Sequence, residues 1–275
     1  IAPSLVGSEM CIRDSYNTII IPSGGSLTKN NKTILTDWVK QGGTLIAHNG
    51  SVRALTSEEG VGNVKQIQNS FDKSNNFNID LQREIYALSD EIDYESVLGN
   101  KVNTEISYPW ETSKKKLSQK ELEDRDKWQS LFMPSGSFVG ARTDQKHWLT
   151  FGSTEILPVL YSNYPVLMTD KNSQAAVRIG EIIDSPENNE VKVLNWSTIP
   201  AGKDINIRMS GLVWPEAAQR IANSAYVTRE RLGSGQVILF SGEPNFRGST
   251  LGTNRLWLNA VVYGAGLGTS KKINL

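Results

Sequence analysis

The sequence predicts an α/β fold: an open, mainly parallel sheet flanked by helices, interrupted by a long insertion. Three observations carry this. Thr18 to Ile21 and Thr44 to Ala47 are short apolar runs without polar alternation, the pattern of strands covered on both faces. Between them Ile34, Leu35, Trp38 and Val39 fall on one helical stripe. Glycine turns punctuate the segment at Pro22-Ser-Gly-Gly25, Gly42-Gly43 and His48-Asn-Gly-Ser51. Strand, helix and strand at this spacing make a βαβ unit, which implies parallel pairing.

Each element follows from local chemistry. Thr28 is placed to cap the first helix, Gly42-Gly43 ends it, and a second helix starts from about Val52. Residues 60 to 134 read as an insertion, polar from Asn69 to Asn78, with a mixed-sign charge run from Glu111 to Lys127 that suits a solvated helix or linker. Trp148 to Phe151, Val166 to Met168, Ala175 to Ile179 and Val191 to Leu194 read as short strands. Pro215 begins a helix to about Asn223. Tyr226 to Arg231 and Gln236 to Phe240 are strands about the turn Gly233-Ser-Gly235. Thr253 is placed to cap the last helix, whose apolar positions Leu256, Trp257, Ala260, Val261 and Tyr263 precede Gly264. Residues 269 to 275 form a tail.

Composition narrows the function. The 275 residues carry 29 basic and 29 acidic side chains, so no broad basic surface is expected and nucleic acid is not an expected partner. No apolar run approaches the roughly 20 residues of a membrane helix, so no membrane span is expected. The single cysteine, Cys11, lies in a stretch without periodicity, and Leu5 to Asp14 back-translates codon by codon into a transposase adapter used in sequencing libraries. The string resembles that artefact. Residues 1 to 15 are therefore expected to lie outside the fold, leaving a cysteine-free domain over 16 to 268 and a coding sequence truncated upstream. With only His48 and His147, and no glutamate at zinc-ligand spacing, neither a metal site nor a cofactor is expected in this chain.

In an open parallel sheet, chemistry gathers at the carboxyl ends of the strands. Those ends are Ser23-Gly-Gly25, His48-Asn-Gly-Ser51 and Ser241-Gly-Glu-Pro-Asn-Phe-Arg247. The arrangement resembles the class I glutamine amidotransferase fold, flavodoxin-related, in which one glycine turn supplies an oxyanion hole, a second carries a cysteine on a strained elbow, and a late strand presents a histidine and a glutamate. Aligning Gly50 with the second elbow glycine puts His48 at the nucleophile. Aligning Glu243 with the family's glutamate puts Ser241 at the base. The triad positions are then His48, Ser241 and Glu243, of which only the glutamate keeps its family identity, so the resemblance implies turn geometry without the thioester reaction. Ser51 is read as a helix cap, or, in an alternative hydrolase, as a nucleophile beside His48. Gly24, Gly25, Asn49, Ser51, Asn245 and Arg247 are the candidate binding residues. Arg247 suits bidentate capture of a carboxylate, or an ion pair with Glu243.

A further resemblance spans most of residues 16 to 268. The strings His147 to Gly152, Ser210 to Glu216, Ala225 to Glu230, Gly235 to Phe240, Pro244 to Gly248 and Gly252 to Leu256, with Asn259-Ala260, resemble the amidotransferase-like domain at the C-terminus of bacterial zinc carboxypeptidase-like proteins. The resemblance implies that zinc and peptidase residues belong to an upstream domain and that the parent is exported, periplasmic or extracellular. This chain is then its non-catalytic accessory domain, with that peptidase domain as partner. A hydrolase, or a ligand-binding module for peptide or carbohydrate, using the crevice at Gly24, His48, Ser51 and Glu243, is the alternative. Trp38 and Trp257 read as core; Trp110 and Trp214 remain open as ligand platforms.

Overall fold

The computed structural model describes residues 16–24, 27–88, 117–248 and 250–270. Along the chain run β1 (Thr18–Ile21), helix α1 (Lys29–Lys40), β2 (Thr44–His48), α2 (Gly50–Leu55), β3 (Lys65–Gln66) and α3 (Ser74–Leu88). There follow α4 (Gln119–Ser130), β4 (Ser137–Thr143), β5 (Ile156–Tyr161), β6 (Leu167–Met168), β7 (Ser173–Ile179), β8 (Glu181–Asp184), β9 (Lys192–Val193) and β10 (Thr198–Ile199). The remainder is β11 (Lys203–Asn206), β12 (Arg208–Ser210), α5 (Pro215–Ile221), β13 (Ala225–Leu232), β14 (Gly235–Phe240) and α6 (Leu251–Tyr263).

Ten strands form one open sheet, ordered β1-β2-β14-β13-β7-β4-β12, with β5 on β4, β6 on β13 and β3 on β6. Among the described residues, the ladders of β1 with β2 and of β2 with β14 are parallel, and the other ladders of this sheet are antiparallel. The sheet is thus mixed and mostly antiparallel, not mainly parallel as expected. The reason lies partly in connection length. Leu232 and Gly235 pair across a two-residue turn, and a parallel crossover needs a dozen or more residues. Gly233 sits there at φ 62°, its missing Cβ facing the Lys40 backbone, so a side chain would be both strained and obstructed.

Both faces of the central strands are covered. Leu45 and Ala47 of β2, with Val237 and Leu239 of β14, pack on Trp38, Val39, Val52 and Leu55. Ile46, Ile238 and Phe240 face the other way, toward Leu256 and Ala260 of α6. This period-two division explains why neither strand shows polar alternation.

The described parts of 60–134 contribute to the same body. Val61 and Val64 join one core, and Ile67, Phe71, Phe77, Leu81 and Leu122 join the other. Helix α4, closed by a capping box between Ser118 and Glu121, is not uniformly solvated as its charge run suggested. Asp126 is buried against Arg220 of α5, with contacts of 2.7 and 3.2 Å. The part of that run over 111–116, and Trp110, lie outside the described residues.

Two local expectations are corrected. Trp148–Thr150 is a 3-10 turn, because the Nδ1 of His147 accepts from the Leu149 amide and curls the chain. Thr253 lies inside α6, with Thr250 at the cap position; the Thr253 hydroxyl instead donates to the Pro244 carbonyl at 2.6 Å. Thr28 does cap α1, accepting from the Asn31 amide, and the helix after β2 starts at Gly50.

Candidate functional site

Because β1, β2 and β14 run parallel, their carboxyl ends open onto one edge of the sheet. At the end of β2 the chain turns into α2 through Asn49, at φ 51° and ψ −121°. That region is sparsely populated by residues bearing a Cβ and recurs where a reactive side chain is presented between a strand and a helix. Asn tolerates positive φ better than most residues. The strained position is therefore Asn49, one residue beyond the His48 at which the glycine alignment located it.

The Asn49 amide is tied on both sides. Its backbone N–H donates to the Phe240 carbonyl at 3.0 Å, and its Nδ2 donates to Oε1 of Glu243 at 2.9 Å. Gly50 lies against the first glycine turn. A Cβ there would stand 3.2 Å from the Ser23 hydroxyl and 3.4 Å from the Gly24 nitrogen. Gly24 has φ 87°; Gly25 is outside the described residues.

The other expected site residues divide between this edge and the interior. His48 turns its ring to the α6 side, edge-on to Trp257 at 5.3 Å. Burial holds its pKa below the ordinary histidine value, against a smaller upward pull from Glu243. Ser51 is fully buried and contacts two backbone carbonyls, His48 at 2.9 Å and Ile21 at 3.1 Å. Its hydroxyl neither caps α2 through its side chain nor meets a base. Ser241 is also buried, its Oγ without a hydrogen bond.

Glu243 has a neighbour that the sequence did not single out, Tyr164. The Tyr164 ring occupies the space a Cβ on Gly242 would need, and burial, then Glu243, raises its phenol pKa. Asn245 and Arg247 are exposed on the following loop. Arg247, at φ 49°, stacks its guanidinium 5.1 Å from the centre of the Phe246 ring, and no ion pair joins it to Glu243 among the described residues. Trp38 is buried; Trp214 is half exposed.

A second polar feature lies across the sheet. A cavity of about 250 Å³ is lined in part by Asp80, Glu84, Asp144, Asp170, Lys171 and Arg178. Arg178 is held bidentately by Glu84 at 2.7 Å to each oxygen, and it also reaches Thr169 and the Asn223 carbonyl. Its donors are committed to the fold. Among the described residues no three His, Cys, Asp or Glu side chains are grouped to hold a metal ion. The two histidines sit apart, one against Trp257 and one at the 3-10 turn. No described helix is long and apolar enough to cross a membrane.

No protein-family model matches the chain, and no curated protein matches it. Among solved structures it is similar to the cytoplasmic protein STM3548 from Salmonella typhimurium, at 11% identity and TM-score 0.38, over 92% of this chain and 72% of that one. It is similar too to the cytoplasmic protein STM1381 from Salmonella typhimurium LT2, at 13% identity and TM-score 0.37, over 90% and 72% of the respective chains.

Proposed function

We propose that this domain is a non-catalytic accessory unit, substrate-positioning or structural, of a zinc metallocarboxypeptidase-like protein whose metal chemistry resides on a separate domain. The observation that carries the reading is Asn49 at the strained elbow. A carboxamide offers no nucleophile at neutral pH, and covalent acyl transfer needs one beside a base. Ser51 is committed to backbone carbonyls, and the His48 ring packs edge-on to Trp257, its Nδ1 buried without a hydrogen bond. What the edge offers is polar recognition. The Asn49 and Glu243 side chains meet there, and the nearby exposed Arg247 has the planar fork that suits a peptide carboxylate.

The competing hydrolase reading, with Ser51 as nucleophile, requires that hydroxyl to leave two carbonyls and reach solvent. A serine-directed fluorophosphonate, together with assays of ester cleavage and of amino-acid release from short peptides, tests the choice on the full chain. Neither labelling nor turnover is expected. Labelling lost in Ser51→Ala, or turnover lost in Asn49→Ala, would overturn the proposal.

A further inference from the structure

We propose that Asn49 closes onto the nitrogen of Gly50 within the folded chain, forming a succinimide and releasing ammonia. Asn49-Gly50 is the only Asn-Gly step in the sequence, and glycine leaves its nitrogen unobstructed by a neighbouring side chain. The inference stands whether or not the domain is catalytic.

The backbone torsion at Asn49 is that of the ring. Closure joins Gly50 N to Asn49 Cγ, so Cβ and that nitrogen must lie nearly in one plane about the Cα–C bond. In an L residue Cβ stands about a third of a turn from the backbone nitrogen around this bond. A ψ of −121° therefore brings Cβ into line with Gly50 N. The torsion that is unfavourable for an open-chain residue is the rest torsion of the ring. In an unfolded chain the same torsion must be found by chance; here the flanking hydrogen bonds of β2 and α2 impose it.

Three further features favour the step. Gly50 is the first residue of α2, so its N–H has no acceptor within the helix. Asn49 and Gly50 are half-buried, which leaves room for water as proton carrier. The hydrogen bond from Nδ2 to Glu243 holds the departing nitrogen toward the open edge. In the step the Gly50 N–Cγ bond forms, the Cγ–Nδ2 bond breaks, and the proton lost from Gly50 N leaves with that nitrogen as ammonia. No oxidant or reductant enters. Addition of water to one ring carbonyl or the other then opens the ring to an aspartyl residue at this position or to its isoaspartyl isomer. Either product sets a second carboxylate beside Glu243, a like-charge pair that favours protonation of one member.

The test compares the intact chain, folded and in urea, in mildly alkaline buffer, by peptide mapping across residue 49 and by hydroxylamine, which cuts the chain at a succinimide. Loss of one ammonia at Asn49 is expected about tenfold faster in the folded chain, the rate equivalent of the backbone strain already present there. Asn49→Gln should abolish it. Equal or slower loss in the folded chain, or hydroxylamine cleavage no greater than in urea, would overturn the proposal.

Discussion

Asn49 donates from Nδ2 to Oε1 of Glu243 at 2.9 Å, joining the strained end of β2 to the end of β14. The bond helps hold a backbone conformation that Asn49 would otherwise leave. Asn49→Ala loses the hydrogen bond and keeps a Cβ at positive φ without asparagine's tolerance of that region, and is expected to cost about 1–3 kcal/mol. Asn49→Gly loses the same bond but relieves the strain, so its expected cost is within about 1 kcal/mol of zero. Urea unfolding of the two variants checks the ordering.

Asp126 and Arg220 form a pair with side chains only 6% and 7% exposed, which fastens α4 to α5. Removing one partner strands the other charge. Asp126→Ala is expected to destabilise by about 3–5 kcal/mol, and adding Arg220→Met should recover part of the loss. The double-mutant cycle in urea is the measurement.

His147 is held neutral by burial, which lowers its pKa despite the opposing Asp144 charge. Its Nδ1 accepts from Leu149, so the proton resides on Nε2. A depressed folded pKa means that stability is full above the unfolded value of 6.5 and is lost as pH falls through the folded value. Acidification below pH 6.5 should therefore destabilise the protein, and His147→Asn should flatten that slope in thermal melts. NMR titration should find His147 still neutral where a free histidine is charged.

Glu230 has the opposite sign. Burial raises its pKa above the ordinary 4.5, although Asn63 and Val64 donate to its oxygens. Its contribution to stability is full below pH 4.5 and declines as pH rises through the folded value. Glu230→Gln should remove this decline, but it turns an amide group toward backbone donors and should cost about 1–3 kcal/mol at acidic pH. Stability profiles of both proteins across the carboxylate range test it.

Much of β1, α1, β2 and β14 was legible because apolar period and glycine turns coincide there. Strand direction beyond them was less legible. Short runs such as Leu167–Met168 carry no mark of the partner they meet, and the antiparallel sense of β13 and β14 is encoded only in the brevity of their turn. At the site, Glu243 was found by its place after a strong strand. The strain at Asn49 was missed because glycines alone were aligned, although Asn before Gly after a buried strand is itself a positive-φ signal. Tyr164 gave no signal, since its contact with Gly242 depends on a loop distant in sequence. Ser51 looked free in sequence; its burial against Ile21 arises only once β1 pairs with β2.

The central claim is that the elbow at Asn49 carries recognition without turnover. Ammonia release by the full chain, followed at rising glutamine concentration, tests it most directly. Release is expected to be independent of glutamine and never to exceed one equivalent per chain. Saturable, glutamine-dependent release that disappears in Asn49→Ala or His48→Ala would contradict it.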